Sequence, residues 1–167
     1  MVRVKILIVG SVASGKTTFA KNLSKKLSIK YYEIDSIVHD DLKNTKRSNE
    51  EQVKIINDIN ENDDWIIEGT LRKNLYFLLD LADRIIYLNV PLNFRKRRIL
   101  SRYIKQKIGI EKSNYKPNIK ILKSMYKWTK EFELEKEVFE NHLKKYTIKL
   151  IVLIETKNLD YNVMFLN

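Results

Sequence analysis

The sequence contains no cysteine, two prolines and four glycines among its 167 residues. Without cysteine the chain can form neither disulfide bonds nor thiolate metal sites. It also lacks any apolar run near the roughly 20 residues that a membrane-spanning helix needs. The first apolar strand begins almost at Met1, which leaves no space for a signal peptide. We therefore expect a cytoplasmic protein with no membrane association.

The overall composition is typical of one globular domain spanning residues 1–167, because 44% of the residues are hydrophobic and 32% are charged. Lysine and arginine number 32 against 21 acidic residues, which gives a formal net charge of +11. A basic surface can bind nucleic acid, but it also suits a site for polyanionic nucleotides. Because the lysines are spread along the whole chain, we favour a solvated basic surface over nucleic-acid binding.

One segment near the N-terminus carries a phosphate-binding motif. The apolar run 6–9 has the composition of a strand and ends at Gly10. From Gly10 to Thr17 the sequence reads GSVASGKT, which fits the pattern G-x-x-x-x-G-K-[ST]. Apolar residues then recur with helical spacing at Phe19, Leu23 and Leu27. Strand, glycine loop and helix in this order are the context that the Walker A motif requires.

The residue types of this loop suit a nucleoside triphosphate. Gly10 and Gly15 let the backbone approach phosphates closely, while the loop N–H groups and the helix N-terminus point at anionic oxygens. Lys16 can reach the β- and γ-phosphates, and the Thr17 hydroxyl can bind Mg²⁺. We therefore predict a site for a nucleoside triphosphate and Mg²⁺, with nucleotide contacts at Gly10, Ser11, Ala13, Ser14, Gly15, Lys16, Thr17 and Thr18.

Further along the chain, strand-like runs alternate with helical patterns. Strands are predicted for 29–34, 65–67, 85–90 and 147–154, and helices for 48–62, 71–82, 92–103, 118–145 and 159–166. Ser48 and Glu51 form a capping-box signature at the start of the first of these helices. The alternation predicts a three-layer α/β fold with a five-stranded parallel sheet covered by helices on both faces.

Two of the later helices flank a segment, 103–117, that we predict to be a short helical lid. The helix after Pro91 is expected to bury Leu92, Ile99, Leu100 and Tyr103. Over 118–145 one apolar stripe comprises Ile119, Leu122, Met125, Tyr126 and Thr129, and another comprises Leu134 and Val138. Because this stretch contains neither glycine nor proline, the sequence does not show whether it is one bent helix or two helices.

Acidic residues at two strand ends are informative, because ligands of parallel sheets bind beyond the carboxyl ends of the strands. Asp35 follows the second strand and Glu68 ends the third. The fourth strand ends at residues 89–91 in Asn-Val-Pro, without the Asp of a usual Walker B motif. If a carboxylate holds Mg²⁺, Glu68 and Asp35 are therefore the available ones. Either could instead cap a helix or pair with a surface lysine.

Three arginines share a helix face just before the predicted lid. Planar guanidinium groups stabilise the negative charge that spreads over a phosphoryl group during transfer. Arg98 and Arg102 stand one helical turn apart and are candidate catalytic residues beside a triphosphate. Arg95 fits a solvated helix face better.

These segments together resemble the nucleoside monophosphate kinases, through the P-loop, Glu-Gly-x-x-Arg from Glu68 and Arg-Ile-x-x-Arg from Arg98. More closely, the chain resembles the adenylate-kinase-related "DNA topology modulation" proteins. That resemblance rests on YYEIDSI at 31–37, WIIEGTLRKNL at 65–75, ADRIIYLNVP at 82–91 and the helix that carries Trp128. It covers nearly the whole chain in order.

The resemblance implies a P-loop kinase fold with the strand order 2-3-1-4-5. It also implies that Arg72 contacts the phosphate of the acceptor, that Arg98 and Arg102 contact the donor nucleotide, and that Glu68 replaces the family's Asp near Mg²⁺. Residues 156–158 would border the adenine. Lys16, Arg98 and Arg102 would then be the catalytic residues on the donor side.

The acceptor half of the chain departs from the adenylate kinases. Their motif Asp-Gly-Phe-Pro-Arg reads Glu-Gly-Thr-Leu-Arg here, and their Thr-Gly pair after the second strand is absent. Asp35-Ser36 is more similar to kinases of small hydroxyl compounds, in which a catalytic aspartate orients or deprotonates the acceptor. We predict an ATP-dependent phosphotransferase acting on a nucleoside monophosphate. The alternatives are a kinase of a hydroxyl metabolite and a nucleotide-gated regulatory or nucleic-acid-binding protein, and the oligomeric state stays open.

Overall fold

The structure is a computed structural model that describes residues 4–40, 43, 45–62, 64–111 and 117–155. Its elements are β1 Lys5–Gly10, α1 Lys16–Leu27, β2 Tyr31–Glu33, α2 Ile34–Val38, β3 His39–Asp40, β4 Thr45–Lys46, α3 Asn49–Asn62, β5 Trp65–Gly69, α4 Leu78–Leu81, β6 Arg84–Leu88, α5 Leu92–Lys107, α6 Ile119–Leu143 and β7 Leu150–Leu153. Short 3₁₀ helices cover Lys73–Leu75 and Lys144–Lys149. Across these described ranges, no helix combines the length and apolar character needed to cross a membrane.

Five parallel strands form the central sheet in the order β2-β5-β1-β6-β7, and β3 and β4 form a separate antiparallel pair. The α/β class and the five-stranded parallel sheet are as predicted. The numbers differ from the predicted 2-3-1-4-5 because the sequence did not reveal β3 and β4, so the later strands are numbered two higher. β1 lies in the centre, where Val9 pairs with Gly69 of β5 and Gly10 pairs with Leu88 of β6.

Alternation along β1 divides the core into two parts. Leu7 and Val9 pack on one face with residues of α2, α3, α4 and α6, whereas Ile6 and Ile8 pack on the other with Phe19 of α1. All four β1 side chains are fully buried. Helices therefore cover both faces of the sheet, and the loop that leaves β1 starts from a fixed point.

The start of α3 confirms the capping box predicted from the sequence. The Ser48 N–H donates to Glu51 Oε2 at 2.8 Å, and the Glu51 N–H donates to Ser48 Oγ at 3.2 Å. These reciprocal bonds satisfy two donors that the first turn of a helix leaves without partners.

The segment 71–82 is not the continuous helix that its apolar spacing predicts. It forms a 3₁₀ turn followed by the single-turn α4. Asn74 Nδ2 donates to Gln52 Oε1 at 3.2 Å, which holds the turn against α3. The spacing identifies the inward side correctly, since Leu75, Leu78 and Leu79 are buried. It does not identify the backbone conformation.

Three predicted strands are shorter in the structure, and the smallest change is in β6, which ends at Leu88 rather than at residue 90. β2 ends at Glu33, and Ile34 begins α2, so Asp35 lies in the first turn of a helix. β7 begins at Leu150, which pairs with Ile85, because the residues before it form a 3₁₀ helix. Apolar, β-branched composition does not by itself decide which residue is the first to pair.

The buried sides of α5 and α6 differ from the predicted stripes. α6 is one helix of 25 residues, and its buried residues are Thr129, Phe139 and Leu143. The residues predicted to face inward but found exposed are Leu100, Ile119, Leu134 and Val138. The stripes fail because α5 and α6 pack on each other partly through a polar pair, Arg95 and Glu133, which apolar spacing cannot reveal.

Some predictions fall outside the described residues. These are the closing helix over 159–166, the expected adenine border at 156–158 and the part of the predicted lid over 112–116.

Candidate nucleotide-binding site

The loop between β1 and α1 has a backbone that depends on small residues. Gly15 has φ 99° and Ala13 has φ 60°, both in the left-handed region. A methyl group on Gly10 would lie 2.8 Å from Leu88 O and 3.0 Å from Ser14 Oγ. The Ser14 hydroxyl is buried and has no hydrogen-bond partner among the described residues. A buried polar atom of this kind fits a loop that a polar ligand completes.

Lys16 begins α1, and its ammonium lies within the loop. Lys16 Nζ donates to Ser11 O at 2.8 Å. Burial lowers the pKa of Lys16, and the carboxylates of Glu68 and Asp35 oppose this effect. Both strand-end acids are therefore close enough to the ammonium to act on it electrostatically.

Glu68, at the end of β5, joins the neighbouring strand to the loop. It is 3% exposed, and Thr17 Oγ1 donates to Glu68 Oε1 at 2.5 Å. Thr70 Oγ1 adds a bond to Gly10 O at 3.1 Å. Burial raises the pKa of Glu68, while the charge of Lys16 and the Thr17 hydrogen bond act in the opposite direction.

The Thr17 hydroxyl and the Glu68 carboxylate fit a Mg²⁺ ion that arrives with a nucleotide. Both are oxygen ligands, and Mg²⁺ in nucleotide sites takes one or two protein ligands together with waters and phosphates. In the part of the chain that the structure describes, no group of three or more His, Cys, Asp or Glu side chains could hold a metal ion. The donor set therefore suits a shared site rather than an all-protein cage.

The two predicted catalytic arginines have different surroundings. Arg98 Nη1 donates to Ser14 O at 2.8 Å and Ala13 O at 3.4 Å, so this side chain contacts the loop. Arg102 Nε lies 3.1 Å from Glu111 Oε1, and its side chain is half exposed. Arg102 is therefore paired with a residue of the predicted lid region.

Arg95 is not on a solvated helix face, which corrects the expectation for this residue. Arg95 Nη1 donates to Ser11 Oγ at 2.6 Å, Nε donates to Val90 O at 2.8 Å, and Nη2 bonds to Glu133. These acceptors allow the charge to be buried. The sequence does contain a signal that Arg95 faces inward, because it lies one helical turn before Ile99 of the predicted inward stripe.

Asp35 and Arg72 lie together on the other side of β1. Asp35 Oδ1 and Arg72 Nη2 are 3.7 Å apart, and the two side chains are 79% and 37% exposed. Asp35 follows β2 and Arg72 follows β5, and these strands are neighbours in the sheet. A carboxylate and a guanidinium therefore border the exposed edge of the site beside Glu68.

We expect Glu68→Gln to stabilise the protein at neutral pH. Because burial raises the pKa of Glu68 above its ordinary value of 4.5, the native chain binds this proton more tightly than the unfolded chain. Its contribution to the free energy of unfolding is present below pH 4.5 and is lost as pH rises through the native pKa. Urea denaturation across this range should give a flatter pH profile for the variant. Glu137→Gln, an exposed control on α6, should keep the wild-type profile.

A parallel sheet with a Walker A loop after its central strand and helices on both faces defines the P-loop nucleoside triphosphatase class of fold. Residues 6–117 match the family model described as "AAA domain". The chain belongs to this family.

A curated relative is the cytidylate kinase of Sulfolobus acidocaldarius, which is 34% identical over 116 residues. The match covers 59% of this chain and 61% of that kinase, so the chain spans about three fifths of the relative's length. The narrower resemblance to the "DNA topology modulation" proteins stays a prediction.

Two solved structures show the same fold. Shikimate kinase from Acinetobacter baumannii, in complex with shikimate, superposes with a TM-score of 0.56 at 12% identity, covering 94% of this chain and 86% of that one. Shikimate kinase from Bacteroides thetaiotaomicron gives a TM-score of 0.51 at 17% identity, covering 78% of this chain and 79% of that one.

Proposed function

We propose that the protein is an ATP-dependent phosphotransferase that transfers the γ-phosphoryl group of ATP to a small acceptor, with a nucleoside monophosphate as the first candidate. One observation carries this proposal: the phosphate-binding loop and the Asp35–Arg72 pair lie at the same end of one sheet. Lys16, Arg98 and the Thr17–Glu68 pair surround the loop, and the Asp35–Arg72 pair lies just after the neighbouring strands β2 and β5.

On the donor side, the protein acts by positioning and electrostatics. The loop N–H groups and the Lys16 ammonium hold the β- and γ-phosphate oxygens. The Arg98 guanidinium, already at the loop carbonyls, stabilises the charge that develops on the transferred group. Arg102 would contribute to the same stabilisation once its ion pair with Glu111 is broken.

Thr17 and Glu68 would hold the Mg²⁺ that accompanies ATP, since their oxygens meet at the loop. The ion supplies charge neutralisation on the phosphates when bound. Glu68 suits this role better than Asp35, because Asp35 is paired with Arg72 and its side chain is largely exposed.

On the acceptor side, Arg72 supports a phosphate-bearing acceptor. A guanidinium can bind two phosphate oxygens at once, which fixes both the position and the orientation of a monophosphate. The cytidylate kinase relative favours a nucleoside monophosphate on independent grounds.

A hydroxyl metabolite is the second candidate, because Asp35 stands close to Arg72 and acts electrostatically on Lys16. A carboxylate in this place repels an acceptor phosphate but can orient a hydroxyl group or accept its proton.

The test measures ADP release from Mg²⁺·ATP with a panel of nucleoside monophosphates and small hydroxyl acids. With a monophosphate acceptor, Arg72→Gln should raise the acceptor KM about 10- to 100-fold, since it removes a charged hydrogen bond. With a hydroxyl acceptor, Asp35→Asn should lower kcat about 10²- to 10⁴-fold. The exposed Arg97→Gln serves as the control and should match the wild type. No acceptor-dependent release, together with salt-sensitive DNA binding, would favour the nucleic-acid alternative.

A further inference from the structure

A charged network lies behind the nucleotide loop, where α5 faces α6. Arg95 is 2% exposed, yet each of its terminal and ε nitrogens bonds to an acceptor: Ser11 Oγ, Val90 O or the Glu133 carboxylate. Its guanidinium carbon also lies 5.8 Å from the ring centre of Phe132 on α6. A buried guanidinium with this set of partners is held in one position.

The network continues to the P-loop lysine through a single residue. Ser11 accepts from Arg95 at its side-chain oxygen, at 2.6 Å, and from Lys16 at its carbonyl oxygen, at 2.8 Å. Hydrogen bonds therefore connect Glu133 to Arg95, Arg95 to the side chain of Ser11, and the carbonyl of Ser11 to Lys16. They connect a helix outside the Walker motif to the motif's ammonium group.

We propose that Arg95 is a positioning residue for Lys16 and that Glu133 on α6 sets the position of Arg95. Arg95 fixes Ser11, and Ser11 aims the ammonium before the triphosphate arrives. Charges that are preorganised in this way need no rearrangement when the ligand binds. The inference rests on the proposed ATP site, and it makes α6 a supporting element of that site.

α6 is also joined to the sheet at a second point, which provides a matched control. Glu140 lies two turns after Glu133 on the same side of the helix, and it accepts from Tyr87 Oη at 3.1 Å and Asn89 Nδ2 at 3.0 Å. The side chains of Glu133 and Glu140 are 29% and 36% exposed, so they are similarly buried. Glu140→Gln therefore weakens the attachment of α6 without touching the Arg95 network.

The test is a double-mutant cycle on the affinity for ATP, measured by isothermal titration calorimetry with Mg²⁺ present. Its variants are Glu133→Gln and Ser11→Ala, whose sites are linked through Arg95. We expect each single variant to weaken ATP binding about tenfold, and the double variant also about tenfold, because both break one chain. Glu140→Gln should lower the Tm but bind ATP as the wild type does.

Independent effects that multiply to about a hundredfold in the double variant would overturn the proposal. So would a Glu140→Gln variant that binds ATP as weakly as Glu133→Gln, since that result indicates general loosening of α6. If Glu133→Gln does not fold, Arg95→Lys takes its place in the cycle, because an ammonium cannot reach all three acceptors. A wild-type protein that binds no ATP defeats the proposed function as well, whereas ATP binding with multiplying effects defeats this inference alone.

Discussion

Lys16→Ala is expected to lower kcat for acceptor-dependent ADP release about 10³-fold. The variant loses the cation that Ser11 O holds inside the loop, at the place where the β- and γ-phosphates are expected. The acceptor KM should change little, because Asp35 and Arg72, the proposed acceptor contacts, lie on segments that follow β2 and β5 rather than on the loop after β1. Steady-state kinetics with ATP and acceptor varied separately distinguish the two parameters.

The fold of the Lys16→Ala variant should survive. Burial lowers the pKa of Lys16 below its ordinary value of 10.5, so the native chain holds a charged ammonium at a cost that alanine removes. Thermal unfolding followed by circular dichroism checks this, with the exposed Lys130→Ala on α6 as the control for removal of a lysine. Undiminished turnover in a folded Lys16→Ala protein would refute the role assigned to Lys16 at the β- and γ-phosphates.

Gly10→Ala is expected to weaken ATP binding about 100-fold, because the loss of about two hydrogen bonds to charged phosphate oxygens costs roughly 3 kcal/mol. The added methyl would lie 2.8 Å from Leu88 O, a backbone atom within the sheet that cannot move aside. The start of the loop must shift instead, and the N–H groups that face the phosphates shift with it. The same crowding should lower the free energy of unfolding by about 1–3 kcal/mol.

Instability alone does not explain such a loss of affinity if a control of similar stability still binds ATP. Ile56→Val trims a fully buried side chain on α3, away from the loop, at a cost of about 1 kcal/mol. Calorimetric titration of both variants below their melting temperatures gives the comparison. Equal ATP affinities for Gly10→Ala and the wild type would show that the loop tolerates the methyl group.

The position of the loop after β1 could be predicted because local sequence dictates it. The run before Gly10 is buried on both faces, so its carboxyl end and the following loop have a determined place in the sheet. The capping box at Ser48 is equally local, and the structure contains both of its bonds. Placing Glu68 at a strand end likewise needed only the boundary of one strand.

The surroundings of Arg95 could not be predicted in this way. Its partner Glu133 is on α6, beyond the predicted lid, and nothing in the local pattern around residue 95 indicates a carboxylate there. The inward side of α6 was mistaken for the same reason. A threonine, Thr129, is fully buried while Leu134 is exposed, because the neighbouring helix and strand decide which side is covered. Long-range polar contacts override apolar periodicity at these positions.

The strand order has a consequence for how such a protein can diversify. The loop follows the central strand, the arginines of α5 follow β6 on one side, and Asp35 and Arg72 follow β2 and β5 on the other. The proposed acceptor contacts therefore lie on short segments after β2 and β5, apart from the loop and from α5. Under the proposed function, substitutions at Asp35, Ser36 and Arg72 would change the acceptor while Thr70, which bonds to Gly10 O, and the loop itself stay in place.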